Sequence, residues 1–179
     1  MTFDAINTFI ETVDPQRATV VSFPEFILVF GGPLAKKVRS SPVSQRDAFL
    51  RWLAANRSEL HSVLLLPESF EDWNDFSTYS DLLLFEKDLG YLTSAVVVFL
   101  EAPGSIAELG AFSQIDSLSE RLMVVVSDEY HPARSFISLG PIRSVKETQQ
   151  HPHSVCTIPS VVPNELKKHA PVIAEMLDA

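Results

Sequence analysis

The stretch VVVFLEAPGSIAELGAFSQ, residues 96–114, decides how the rest of the chain is read. A fully apolar run, Val96 to Leu100, gives way to Pro103-Gly104-Ser105 and then to apolar residues at helical spacing. Strand, tight turn, helix is the unit of a parallel sheet. One turn into that helix stands a carboxylate, Glu108, and two readings compete for it. Ser105 to Glu108 has the S-x-x-E spacing of a capping box, in which the two side chains satisfy orphan backbone amides. The other reading is a catalytic carboxylate at the rim of a nucleotide pocket, kept ionised by the positive end of the helix.

Working outward, EFILVFGGP (residues 25–33) is a second apolar strand that ends in Gly31-Gly32-Pro33. QRDAFLRWLAANRSEL reads as a helix with Phe49, Leu50, Trp52 and Leu53 inward, and Ser62 to Glu68 as a further buried strand. DLLLFEKDLGYLTSA is helical, and the helix from Ser105 is expected to run to about Ser117. RLMVVVSDE is another strand and SVCTIP a weaker one, with a short helical piece at Ala133 to Leu139 between them. Phe3, Ile6, Phe9, Ile10 and Val13 predict an N-terminal helix, and Val162 to Leu177 a last one that Pro171 should kink or split. Strands alternating with helices argue an α/β fold with a central, mainly parallel sheet. One domain over residues 1–179 is expected.

Composition narrows the chemistry. The 179 residues carry a net charge of −9, with 14 Lys and Arg against 23 Asp and Glu, which disfavours gripping a long polyanion. A small anionic ligand held by backbone amides needs no basic patch. Cys156 is the sole cysteine, so it cannot form an internal disulfide and is expected to pack as a small hydrophobe. The five histidines are scattered and predict no metal site. The start MTFDAINTFIETV lacks the pattern of a signal peptide, and no apolar run approaches a membrane span, so a cytoplasmic protein with no membrane partner is expected.

Ligands of open parallel sheets sit beyond the carboxyl ends of the strands. Candidate binding residues there are Gly31, Gly32, Pro33, Glu101, Gly104, Ser105, Asp128 and Tyr130. Glu86 and Asp88, on the preceding helix, could orient a ribose or serve its base; their plainer reading is a solvated helix face. Trp73 and Tyr79 lie in a polar excursion and could cover a ligand or anchor the loop. Neither a GxGxxG fingerprint nor a GxxxxGK[ST] loop is present.

At GSIAELGAF the chain resembles the nucleoside 2-deoxyribosyltransferase superfamily, whose strand-to-helix turn carries a G-[ST]-x-x-E-[LI]-G pattern. The resemblance implies a Rossmann-like three-layer fold with Glu108 as the nucleophile at the sugar anomeric carbon. LLLFEKDLGYLTSAVVVFLEAPGSIAELGAF and SDEYHPARSFISLGPI are more similar still to the deoxyribosyltransferase-like effectors of retron antiphage systems, over roughly residues 25–143. That resemblance implies an N-glycosidase toxin with no cofactor, acting on a nucleotide such as NAD. It further implies restraint by a reverse transcriptase with its RNA–DNA product, and a homo-oligomer. Long effectors of the group add a DNA-binding domain, for which 179 residues leave no room.

Two departures bear on the substrate. The nucleoside enzymes carry a tyrosine on the first strand, where Val29 and Phe30 stand here, and an aspartate just before the motif glycine, where Ala102 and Pro103 stand. Simple deoxynucleoside exchange is therefore not expected, and Glu101 is placed to replace the missing acid. A metabolic deoxyribosyltransferase, a non-catalytic nucleotide sensor and an interaction module whose Glu108 only caps are the rival readings.

Overall fold

The computed structural model describes residues 25–37, 40–70, 72–73, 79–129, 134–160 and 162–178. The helix expected over Phe3 to Val13 lies outside them, as does Tyr130. Five strands, β1 (Ile27–Phe30), β2 (Leu64–Leu65), β3 (Ala95–Phe99), β4 (Leu122–Ser127) and β5 (Val155–Ile158), form one sheet in the order β2-β1-β3-β4-β5. Every pairing is parallel, in register Ile27 with Leu64 and Ala95, Val96 with Leu122, and Val124 with Val155.

Parallel strands buried on both faces read as unbroken apolar runs, and β1, β3 and β4 are such runs. The two-residue side-chain period sends alternate residues to opposite faces. Val29, Val97, Phe99 and Val125 pack with Phe49 and Leu53 of helix α1 (Gln45–Asn56) and Ile173 of helix α8 (Ala170–Leu177). Leu28, Phe30, Val98 and Val124 pack instead under α3 (Leu82–Tyr91), α4 (Pro103–Phe112) and α7 (Pro141–Gln149). Helix, sheet, helix is the Rossmann-like three-layer arrangement that the resemblance implied. Cys156 sits in the first core with its thiol pushed up by burial, so it packs as a hydrophobe. Trp52 is partly buried against that same core.

Several boundaries differ from expectation. The strand expected over Ser62 to Glu68 shrinks to half-buried Leu64–Leu65, because Ser62 closes a short helix α2 (Ser58–Ser62) and Pro67 opens a 3-10 turn, Pro67–Ser69. The central helix starts two residues early at Pro103, whose fixed φ suits a first helical position. It stops at Phe112 rather than Ser117, and α5 (Asp116–Ser119) follows as a separate turn. Of the piece expected over Ala133 to Leu139, Ala133 lies outside the described residues and Phe136–Leu139 is helical (α6); α7 after it was not foreseen. The last helix is split as expected: a 3-10 segment Pro163–Lys168 precedes α8, with Pro171 in its first turn.

The chain leaves β1 for β2 on one side and returns to β3 on the other. Between β1 and β3 the connections therefore diverge, which opens the crevice where such sheets take ligands.

Candidate functional site

Glu101 closes that crevice from below. One of its carboxylate oxygens accepts the N–H of Gly32 at 3.0 Å and that of Arg46 at 2.9 Å, and the other accepts the N–H of Gln45 at 2.6 Å. It thereby ties the ends of β1 and β3 to the N-terminus of α1, where Ser44 caps by accepting from the Asp47 N–H. Gly31 and Gly32 are required by this close packing. A Cβ on Gly32 would stand 2.7 Å from Ser44 Cβ and 3.0 Å from the Glu101 carboxyl carbon, and one on Gly31 would stand 2.9 Å from Arg46 Cβ. Gly32→Ala should therefore cost about 1–3 kcal/mol, the usual range for overpacking, measured as a loss of unfolding free energy in urea.

The capping box expected at Ser105–Glu108 is not formed. The N-cap is Ala102, and buried Ser105 does the capping alone: its hydroxyl accepts the Ala102 N–H at 3.2 Å and donates to the Ala102 carbonyl. The early start at Pro103 moves Ser105 to the third helical position, so Glu108 is a full turn too far along to reach back. Its carboxyl lies instead over Gly104, whose hypothetical Cβ would be 3.8 Å from one carboxylate oxygen. The other, Oε2, is buried with no hydrogen-bond partner among the described residues.

Glu108 faces a cleft of about 350 Å³ above β1. Glu86, only 6% exposed, enters the same cleft from α3. Burial pushes Glu86 up to about 7, reinforced by the negative charges of Glu108 and Glu68. Burial likewise pushes Glu108 up to about 7; the Arg46 guanidinium opposes this and Glu68 adds to it. Near neutral pH the pair therefore shares protons, which suits one member to attack and the other to protonate. Phe30, Phe70, Trp73 and Leu82 give the cleft an apolar, largely aromatic wall. Trp73 and Tyr79 also stack on Phe85, with ring centroids 6.0 and 5.2 Å away, so Trp73 both anchors its loop and walls the cleft.

One residue of this cleft, Arg46, escapes the sequence reading, and a second, Glu68, is read there only as part of a candidate strand end. Arg46 is 2% exposed, and its guanidinium donates to the carbonyls of Gly32 (2.8 Å) and Val29 (3.2 Å) and to both oxygens of Glu68. Its signal was a charged residue two positions after the Ser44 cap, in the first helical turn. Glu68 was visible as the last residue of a strand end, without a partner to give it a role.

The remaining candidates are dispersed. Asp88 stands two residues beyond Glu86, about 200° round the helix, and does not line the cleft. Pro33 is exposed. Asp128 accepts the Ser160 N–H at 3.0 Å and ties a loop. A second hollow of about 440 Å³ lies over β3 and β4, bordered by Glu101, Pro103, Ser127 and Ser135. It contains neither Glu86 nor Glu108. Among the described residues no group of three His, Cys, Asp or Glu side chains could hold a metal ion, and no helix is long and apolar enough to cross a membrane.

Comparison with known proteins adds the biological setting. The sequence pattern of the family described as "STM3845 retron effector protein" matches residues 42–179, well over half of the chain. Two Escherichia coli proteins are similar. The "Retron Ec73 putative ribosyltransferase/DNA-binding protein" is 29% identical over 131 residues, 72% of this chain and 40% of its own length. The "Retron Ec86 putative ribosyltransferase/DNA-binding protein" is 33% identical over 85 residues, 47% of this chain and 28% of its own length. The chain thus spans less than half the length of either relative.

Proposed function

This chain belongs to the STM3845 retron effector family, and from that premise we propose that it cleaves the bond between base and ribose in a nucleotide, NAD or a relative of it. The observation that carries the reading is the buried carboxyl pair in a cleft at the strand ends, with an oxygen of Glu108 that has no partner among the described residues. An uncompensated buried carboxyl is a cost that stability alone does not explain.

In this mechanism the ionised Glu108 attacks the anomeric carbon while the carbon–nitrogen bond breaks and its electron pair stays on the base. Glu86 in its acid form delivers a proton to the departing nitrogen when the base is neutral. Water, or another acceptor, then displaces Glu108 from the glycosyl ester, as in retaining glycosidases. Cleavage of a common nucleotide would make the protein a toxin, and a reverse transcriptase with its RNA–DNA product is the proposed restraint.

Val29, Ala102 and Pro103 offer no polar side chain to a small deoxynucleoside. Orientation must then come from the remote parts of a larger substrate, whose binding energy is used to align the reacting carbon. NAD or a nucleotide is expected to release its base at least about 10-fold faster than free deoxyadenosine or thymidine, followed by chromatography at matched concentrations. Equal or faster release from the free deoxynucleosides would return the protein to nucleoside exchange. A rise in melting temperature with NAD but no base release would make it a sensor.

A further inference from the structure

Glu68 has no part in the two-carboxylate mechanism, yet the fold fixes it beside the reacting pair. It sits in the 3-10 turn after the edge strand β2 and lines the same cleft as Glu86 and Glu108. Both its oxygens are gripped by Arg46, which is in turn fastened to the carbonyls of Val29 and Gly32 at the end of β1. The two partners differ sharply in exposure: Arg46 is 2% exposed and the Glu68 side chain 54%. The guanidinium is thus sealed in, while the outer lone pairs of the carboxylate remain open. A bidentate fork fixes the plane of a carboxylate as well as its position.

The polar groups around it define what can be bound. Glu86 is more than nine-tenths buried and has no hydrogen bond or ion pair among the described residues. Glu108 Oε2 is buried and likewise unpartnered. A carboxylate engaged by a guanidinium only accepts hydrogen bonds, and Arg46, the one guanidinium lining the cleft among the described residues, is committed to two carbonyls and Glu68. The outer lone pairs of Glu68 are acceptors, so the group that meets them must present donors. A sugar bearing vicinal hydroxyls offers two O–H donors at the spacing of two carboxylate oxygens; a 2′-deoxy sugar offers one fewer.

We propose that Glu68, held rigid by Arg46, accepts the ribose hydroxyls of the substrate and makes the cleft selective for ribonucleotides over 2′-deoxyribonucleotides. The proposal rests on the base–ribose cleavage reading for its position in the reaction, but not for its test. A site built to pair a hydroxyl discriminates strongly against the analogue that lacks it, by up to about 10⁴-fold when fully enclosed. With Glu68 half-open to solvent, about 10- to 100-fold is expected.

The test measures binding of AMP and 2′-deoxy-AMP by calorimetry to the full chain carrying Glu108→Gln, so that turnover plays no part. AMP should bind at least about 10-fold more tightly than 2′-deoxy-AMP. Adding Glu68→Gln should weaken AMP more than 2′-deoxy-AMP, whose 3′-hydroxyl alone meets the carboxylate, and so close the gap between them; the binding that remains reports that the cleft is intact. Arg46→Lys, which keeps the charge but loses the fork, should reduce the preference part of the way. Equal affinity for the two ligands, no binding of AMP, or a preference that survives Glu68→Gln would each overturn the proposal. Failure of base release in the unmutated chain would overturn the cleavage reading alone, since the binding preference is read separately.

Discussion

Glu108→Gln is expected to abolish base release, by more than about 100-fold, while the protein melts at or above the temperature of the parent chain. Removing one group that stabilises charge in a transition state commonly costs about 10²–10³ in rate. Here the loss should exceed the lower figure, because glutamine cannot form the glycosyl ester at all. The stability half of the result separates catalysis from capping. Glu108 does not cap its helix; Ser105 does, so no hydrogen bond of the helix start is forfeited. An amide also relieves the burial of an unpartnered carboxylate oxygen. The measurement is base release beside a melting curve on one preparation. Turnover comparable to that of the parent would remove Glu108 from the chemistry, and a marked drop in melting temperature would assign it a structural role.

The second large effect is in pH. Glu86 and Glu108 are both pushed up to about 7 in the fold, against an ordinary value of 4.5. The folded protein therefore holds more protons than the unfolded chain between those values. Stability contributed this way is fully present below about pH 4.5 and is lost as pH rises through about 7. Each carboxyl contributes up to about 3 kcal/mol, since one pKa unit corresponds to about 1.4 kcal/mol. Urea unfolding should show the parent chain less stable at pH 8 than at pH 5, and the Glu86→Gln, Glu108→Gln double variant should flatten most of that difference. The rate follows the same protons. A nucleotide with a neutral base needs Glu108 ionised and Glu86 protonated, so its profile should be a bell centred near pH 7, with limbs that belong to the pair rather than to either residue. A pyridinium base leaves already neutral and needs no acid, so with NAD the rate should rise to a plateau and the alkaline limb should be missing. A flat profile with both substrates would exclude the pair from the rate-determining chemistry.

The fold was largely legible because strands buried on both faces announce themselves: ILVF, AVVVF and LMVVVS admit little other reading between helical patterns. The edge strand was overestimated because an apolar run of SVLLLPE does not reveal that only two of its residues find a partner. The helix α7 was missed because PIRSVKETQ buries only a narrow stripe, Pro141, Ile142 and Val145. At the site, Glu108 and Glu86 could be singled out by motif and position. Arg46 and Glu68 are 22 residues apart and are joined only by the crossover from α1 to β2, which periodicity does not report. The S-x-x-E spacing misled for a local reason: a proline two residues earlier shifted the cap.

Glu101 occupies the positive end of α1. In folds of this kind the positive end of the first crossover helix is an anion hole, open to a phosphate. Here the chain has plugged it with its own carboxylate, which takes three backbone N–H groups at once. The hole is self-occupied before any ligand arrives. A phosphate of the proposed substrate is therefore not held at the N-terminus of α1, the usual first handhold of a nucleotide-binding fold. In the proposed reaction the remote parts of the substrate are thus held outside this helix end, while the sugar meets the cleft by shape and donor pattern.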